Sequence, residues 1–594
     1  MTRAASLVSG VARLALGLVV GLLVACGSPP QVAPKADAPS GEAPAGPLRG
    51  TVLARGDWFV IYQPTAGESL RSIAAHFLGG ADRYWAIADF NGTTSAEPGQ
   101  PLVVPLKSPN PIGVYADEYQ TVPILAYHRF GTGGGKMVVS PSNFAAQLEW
   151  LARNDYRVIP MGQLAGYLAG KQMLPRRAVV ITIDDGYESV HRHALPLLRR
   201  YGFPATLFVY TDFVGAGDAL SWQQLQELAA SGLVDIQAHS KTHRNLIERA
   251  PAEAEPQYRQ GLEIEVRAPR EILERRLPVQ VRHYAFPFGD ANETVLDVLA
   301  RQQYQLAVTV NPGGNAFFAQ PLMLRRTMIF GDVGLEAFKA KVETSRAVAR
   351  AANLRGVKAV AATVPDDRVA PATPLPAPTT SFEQRLREHA LGQARAGRWA
   401  EEAMSWEILA ALRPAAGAYR ERLEETRRMI EAAVPETLRR AQQALRRGDL
   451  EAASADFLAV LALQPDHEQA AEALRGIERA RNKAQYLGRP PRIALDRRAA
   501  VTPQVGSARA AASPDRNELE HATMLGSQGE FDDAIALVER RVARYGAEPK
   551  ACQLLADLHA QRAKQPGRNT PDARVAARMN QPRHGAIKAS SPCP

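Results

Sequence analysis

Cysteine is scarce in this chain. Its 594 residues hold three, Cys26, Cys552 and Cys593, too few for a disulfide framework or a cysteine-rich metal knuckle. A long apolar run is missing as well. The stretch at 14–24 is too short and too one-sided for a lasting transmembrane helix. Charged residues make up 22% and hydrophobic ones 46%, ordinary shares that let most of the chain fold. At this length a single core does not suffice, and several domains are expected. The net charge of +10 suits an anionic partner. The arginines, however, lie mostly on predicted C-terminal helices, interleaved with glutamates, and read as solvated helix faces. No nucleic-acid partner is expected.

What is present begins with an address. Arg3 and Arg13 precede the apolar stretch, as in a secretory signal. It ends in Leu23-Val24-Ala25-Cys26-Gly27, which resembles a bacterial lipoprotein cleavage box. That resemblance implies a signal peptide at 1–25 and lipidation of the Cys26 thiol, hence a membrane partner through the anchor. Residues 26–55 are rich in Pro, Ala and Gly and read as a flexible tether. No acidic residue directly follows Cys26 to favour inner-membrane retention. The expected location is the periplasm, anchored to the outer membrane, without ATP or nicotinamide cofactors readily at hand.

Residues 56–107 read as strand 59–62, a helix 69–77 capped by Ser69, a second helix 82–91 and a closing strand 102–105. The signposts Gly67-Glu68-Ser69-Leu70, Ile73-Ala74, Asn91-Gly92 and Pro98-Gly99-Gln100-Pro101-Leu102 with Pro105 resemble a LysM module. The resemblance implies a small βααβ unit that binds N-acetylglucosamine glycans such as peptidoglycan. Glu68 departs from the Asp that the family prefers.

Across 117–345, strands predicted at 122–126, 179–183, 205–210, 234–238, 284–286 and 306–310 alternate with amphipathic segments. Regular alternation argues for a parallel sheet with crossover helices. In such folds, reactive groups sit past the C-terminal strand ends. A linker follows at 346–380, then a purely helical region at 381–484. There Gly397-Arg398-Trp399 through Pro414 is repeated by Gly448-Asp449-Leu450 through Pro465. A second linker at 485–515 leads to a further copy at 516–564, opening at Gly529-Glu530-Phe531, and a polar tail at 565–594. These copies resemble tetratricopeptide helix pairs, which implies a surface for a protein partner. The overall fold class is thus multidomain, with a small glycan-binding unit, a β/α catalytic domain and an all-α repeat region.

Four patterns in the β/α region fall at strand ends. Asp184 and Asp185 follow strand 179–183 within Thr182-Ile183-Asp184-Asp185-Gly186-Tyr187. Two adjacent acids point differently, so one can bind a metal while the other handles protons. Alone they would equally suit a helix cap or salt bridge. His239-Ser240-Lys241-Thr242-His243 follows strand 234–238, with a spacing that would put both imidazoles on one side of a helical turn. Phe286-Pro287-Phe288-Gly289-Asp290 is a stiff loop after a third strand, and Tyr127-His128-Arg129-Phe130 follows a fourth. Asp185, His239 and His243 supply three ligands for a divalent metal such as zinc, leaving a coordination position open.

Together with Phe203-Pro204-Ala205-Thr206-Leu207-Phe208-Val209 and Leu220-Ser221-Trp222, these patterns resemble the NodB-homology polysaccharide deacetylases of carbohydrate esterase family four. The resemblance implies a distorted (β/α) barrel that hydrolyses N-acetyl groups of glucosamine polymers. By motif, Asp184 would be the base, Asp185, His239 and His243 the metal ligands, and Phe288 and Tyr187 would serve the oxyanion and substrate. Two departures matter. The third motif has Ala285 where an Arg is usual, and the late Leu-x-x-His is missing from 305–345. Both resemble the poly-β-1,6-N-acetylglucosamine deacetylase branch, in which the acid comes from the early Tyr-His, here His128. Arg326 would then replace the missing Arg, with Arg325 the lesser candidate. The expected activity is removal of N-acetyl groups from an exopolysaccharide, with peptidoglycan next. The alternative is an inactive glycan-binding scaffold that recruits partners through its repeats.

Overall fold

Local chemistry starts several helices. Ser69 accepts from the Ser72 amide at the head of Leu70–Leu78, and the Ser72 side chain accepts from the Ser69 amide in return. Ser221 and Gln224 form the same reciprocal cap on Trp222–Ala230. The computed structural model describes residues 48–132, 135–249, 253–348, 374–488, 492–493, 519, 522–523, 531–545 and 548–562, all within the unit Ala38–Pro594. The signal peptide, Cys26, most of the tether, linker residues 349–373 and the tail lie outside the described residues. Among the described residues, no helix is long and apolar enough to cross a membrane.

In the small N-terminal unit, Phe59–Gln63 is the middle strand of an antiparallel sheet, between Thr51–Arg55 and Leu102–Pro105. Leu70–Leu78 and Tyr84–Asn91 pack on it through Ile73, Ala74 and Ile87. The first strand corrects the sequence reading, which ran the tether to residue 55 and expected two strands. Its cause is Glu68. That carboxylate accepts from the amides of Arg49, Gly50 and Thr65 and from the Tyr62 hydroxyl, pinning the incoming chain to the sheet.

The β/α region is built on six parallel strands in the order Leu306–Val308, His283–Ala285, Val234–Ala238, Ala205–Val209, Ala178–Ile183 and Val122–Tyr127. Every residue of the last two is buried, as parallel strands covered on both faces require. The sheet is a half-barrel, and one segment spans its gap. Leu324 bridges Val308, while Thr327–Met328 pairs with Leu125 and Ala126. The segment 190–201 opens with a π-helical turn, Val190–Ala194, before the α-helix Leu195–Tyr201. A 22-residue helix, Glu255–Arg276, runs beside the sheet.

The helical region comprises Ser381–Ala396, Trp399–Leu412, Gly417–Arg446, Leu450–Leu463 and Glu468–Asn482. The two copies seen in the sequence are Trp399–Leu412 and Leu450–Leu463, each starting just after a left-handed glycine, Gly397 or Gly448. The helices are not strung out on linkers. Phe382 and Ile408 cover the outer face of the small unit's sheet at Phe59, Ile61 and Val103. Trp399, Ile430 and Phe457 belong to one core with Val122, Val180 and Phe208 of the half-barrel. Two expected boundaries shift accordingly. Ser345–Ala347 pairs with Glu118–Gln120, carrying the catalytic region past 345. Arg492–Ile493, within the second expected linker, pairs with Glu248–Arg249. Helices Phe531–Tyr545 and Pro549–Arg562 pack against the same body. Cys552 on the latter is disulfide-bonded, a crosslink rather than a framework.

Glu383 ties this region together from a fully buried position. It accepts from Arg413 at 2.6 Å, the Tyr419 hydroxyl at 2.7 Å and the Thr379 amide at 2.8 Å. Burial alone would raise its pKa. The Thr379 amide, Tyr419 and Arg413 outweigh burial and bring it from 4.5 to about 2. A depressed carboxylate stabilises the fold above its unfolded pKa, and that contribution fades as pH falls through the folded value. Glu383→Gln is therefore expected to melt below wild type above pH 4.5, with the gap closing as pH falls towards 2. A gap independent of pH in thermal melts would show that the carboxylate charge is not what Glu383 contributes.

Candidate active site

The strand ends converge as parallel topology dictates. His128 follows Val122–Tyr127, Asp184 and Asp185 follow Ala178–Ile183, and His239 follows Val234–Ala238. The Asp184 amide donates to the Tyr127 carbonyl at 2.9 Å and the His239 amide to the Val209 carbonyl at 2.9 Å, extending the strand pairing by one step.

Asp184 is 2% exposed, and its two oxygens face different partners. Oδ1 accepts from the Arg326 guanidinium at 2.7 Å, while Oδ2 lies 4.0 Å from Nε2 of His128. Arg326 is fully buried. It also donates through Nε to the Thr309 carbonyl at 2.7 Å and through Nη1 to the Thr182 hydroxyl at 3.2 Å. Arg325 turns away to Glu478 at 3.0 Å. Burial acts to raise the pKa of Asp184, but the charges of Arg326 and His239 outweigh it and hold the carboxyl below its usual range. His128 is lowered chiefly by burial, against the pull of Asp185 and Asp184. A buried imidazole of this kind is a ready proton donor once protonated.

Asp185, His239 and His243 come together, with one ligand atom from each all within 4.8 Å of one another. Oδ1 of Asp185 lies 3.4 Å from Nε2 of each histidine, is buried and takes no hydrogen bond. Nδ1 of His239 donates to the Ala285 carbonyl at 2.8 Å, which leaves the Nε2 lone pair directed at Asp185. A carboxylate and two imidazoles converging with an orphaned oxygen between them fit a divalent cation such as zinc. Burial opposes ionisation of Asp185, but the two histidines hold it well below the ordinary carboxylate range.

The histidine segment corrects the sequence reading. It is not a helical turn. Ser240 has φ 70° and His243 φ 62°, so the chain doubles back through two left-handed residues. Glu265 holds it there, accepting from the amides of Lys241 and Thr242 at 2.9 Å each and from the Thr242 hydroxyl at 2.7 Å. Sequence reasoning missed Glu265, though a signal existed. On Glu255–Arg276 it sits in the buried stripe Tyr258, Leu262, Val266, Pro269 and Leu273, where a lone acid marks a buried partner. Thr182 and Thr309 were missed as well, being ordinary strand residues whose partner is set only by the fold.

Phe288 sits at φ 62° on the loop after His283–Ala285, with its ring 4.9 Å from that of His243. The turn needs Gly289, since a Cβ there would meet Val310 at 2.3 Å. Tyr187 lies at the same mouth, under the Arg129 guanidinium at 3.7 Å and edge-on to Phe213 at 5.4 Å. Tyr210 stacks on Phe213 at 4.9 Å and reaches His243 at 5.0 Å. Partly exposed rings thus run from Tyr187 to Phe288 beside the carboxylates.

Comparison with known proteins finds similarity over the β/α region. The polysaccharide deacetylase family profile matches residues 171–307. A putative polysaccharide deacetylase, YxkH of Bacillus subtilis, is 27% identical over 38% of this chain and 77% of its own length. The poly-β-1,6-N-acetyl-D-glucosamine N-deacetylase of Escherichia coli is 26% identical over 35% of this chain, which spans only 36% of that relative. Among solved structures, the Streptococcus pyogenes deacetylase PplD in complex with acetate aligns with 38% of this chain and 98% of its own, at 24% identity and a TM-score of 0.34. Residues 171–307 thus match the polysaccharide deacetylase family model, and the relatives that share this segment are named as polysaccharide deacetylases.

Proposed function

We propose that the chain hydrolyses N-acetyl groups of an N-acetylglucosamine polysaccharide in the bacterial envelope, with the β-1,6-linked exopolysaccharide as first substrate and peptidoglycan second. The observation that carries this reading is the Asp184 carboxylate, pinned by buried Arg326 on one oxygen and facing His128 on the other, beside an Asp-His-His donor set. The preference for the exopolysaccharide draws on Tyr127-His128 and on Arg326 standing in for an Arg at Ala285, together with the name of the Escherichia coli relative.

Asp185, His239 and His243 would hold the cation, which when bound supplies Lewis-acid polarisation of the acetyl carbonyl and activation of water. Asp184 takes the proton as water attacks. Arg326 keeps that carboxylate ionised and aimed, fixed in turn by Thr182 and the Thr309 carbonyl. His128 delivers a proton to the leaving glucosamine nitrogen. The Phe288 backbone amide would meet the developing oxyanion, and Tyr187 with Phe213 and Tyr210 would offer ring faces to the sugars. His128→Ala is expected to keep its metal and lose about 10² to 10⁴-fold in turnover. Near-normal acetate release would remove His128 from the role of acid.

The small N-terminal unit would grip N-acetylglucosamine chains between its loops 64–69 and 93–100, which the Gln63 side chain ties together at the Gly99 carbonyl. Cys26, by its lipoprotein-like box, would anchor the chain to the periplasmic face of the outer membrane. The test is acetate release by the full chain from β-1,6- and β-1,4-linked N-acetylglucosamine oligomers and from peptidoglycan, with chelator and with added zinc. Release that chelator abolishes and zinc restores, greatest on β-1,6 oligomers, is expected. A metal-loaded protein that releases acetate from none of them would instead be a glycan-binding scaffold.

A further inference from the structure

The Glu468–Asn482 helix meets the half-barrel at Leu168 and along the segment that carries Arg326. Three of its residues, spaced i, i+3 and i+7 on one face, make the contact. Arg475 donates to the Leu168 carbonyl at 3.1 Å and lies 5.7 Å over the Phe317 ring. Glu478, 7% exposed, accepts from Arg325 at 3.0 Å. Asn482, 2% exposed, donates to Gln320 at 3.0 Å. Their targets Phe317, Gln320 and Arg325 lie along the stretch that ends at Arg326.

The backbone of that stretch is held by the sheet on either side of the Arg325–Arg326 pair, through Leu324 to Ala307 and Thr309 and through Thr327–Met328 to Leu125 and Ala126. The Asn315 side chain clasps the Arg325 backbone, accepting from its amide at 2.9 Å and donating to its carbonyl at 3.0 Å. The Arg326 amide donates to the Asn311 carbonyl at 3.0 Å. The Arg325 side chain, one residue from the guanidinium on Asp184, is fixed by Glu478. A cavity of about 220 Å³ opens beside this pair, lined by Arg325, Arg346, Arg481 and Glu478. The cavity gives the Arg325 side chain space beside its Glu478 partner.

We propose that the Glu468–Asn482 helix is a positioning element for the reaction: Glu478, through Arg325, sets the Arg326 guanidinium on Asp184, so full turnover requires the helical region. This rests on the reading of Asp184 and Arg326 as the base assembly. Misplacement of such a group by a fraction of an ångström is felt in the chemical step rather than in substrate binding.

The experiment uses the full chain with Glu478→Gln and Glu478→Asp. Acetate release is measured alongside thermal melts and hydrogen exchange of peptides covering 324–328. Glu478→Gln is expected to lower kcat about tenfold with KM and melting temperature near wild type, and to speed exchange at 324–328. Glu478→Asp, which keeps the charge, is expected to recover much of both. Wild-type kcat and wild-type exchange in Glu478→Gln would overturn the proposal. So would a loss of kcat matched by a general fall in melting temperature without faster local exchange. A wild-type chain that releases no acetate would sink the proposed function instead, and exchange at 324–328 would still decide whether Glu478 holds the segment.

Discussion

Asp184→Asn is expected to lower acetate release by about 10² to 10⁴-fold while leaving bound metal at wild-type stoichiometry. The range is that of a general base removed from a site whose other parts remain. Asparagine fills the same volume and can still accept from Arg326, so the pocket should keep its shape. It cannot take a proton from water. It also leaves the fully buried Arg326 without its counter-charge, and breaking a buried pair in this way costs roughly 3–5 kcal/mol. A lower melting temperature should therefore accompany the loss of turnover. Metal content separates this outcome from collapse of the site, because Asp185, His239 and His243 are untouched. Acetate release within tenfold of wild type would mean that Asp184 is not the base.

The second large effect is expected at His239. His239→Ala should lose stoichiometric metal and bring acetate release to background, with added zinc failing to restore it. His239 is 2% exposed and oriented by the Ala285 carbonyl, so its loss removes a buried, pre-aimed ligand. His243 is the contrasting case. Its side chain is 23% exposed and its backbone is left-handed, so His243→Ala should bind metal weakly and regain part of its activity in excess zinc. Equal metal content in wild type and His239→Ala, measured by elemental analysis, would show that the cation sits elsewhere.

Much of the site could be read from the sequence because strand ends are a local signal. The apolar run Ala178–Ile183 and the alternating Val234–Ala238 marked where Ile183 and Ala238 end their strands, and the polar residues after them had to emerge at one mouth. The choice between Arg325 and Arg326 was harder. Neighbouring residues on an extended chain point to opposite sides, and only the fold reveals that Arg326 faces inward to Asp184 while Arg325 faces Glu478. The left-handed path from Ser240 to His243 left no trace, because its cause, Glu265, is more than twenty residues away in sequence. The strand Thr51–Arg55 was hidden by the Pro/Ala-rich composition before it. The packing of the helices against both other parts was invisible for a different reason. An apolar helix face announces that it will be covered, but not by what.

That shared packing bears on how the molecule behaves as a material. Trp399, Ile430 and Phe457 and the half-barrel residues they touch form a single apolar interior, and each side would meet water if the other were removed. Cleavage between 348 and 374 would thus release no free-standing enzyme, since both pieces would stay together or precipitate with bare faces. Thermal unfolding of the full chain is accordingly expected as a single cooperative transition rather than one per segment.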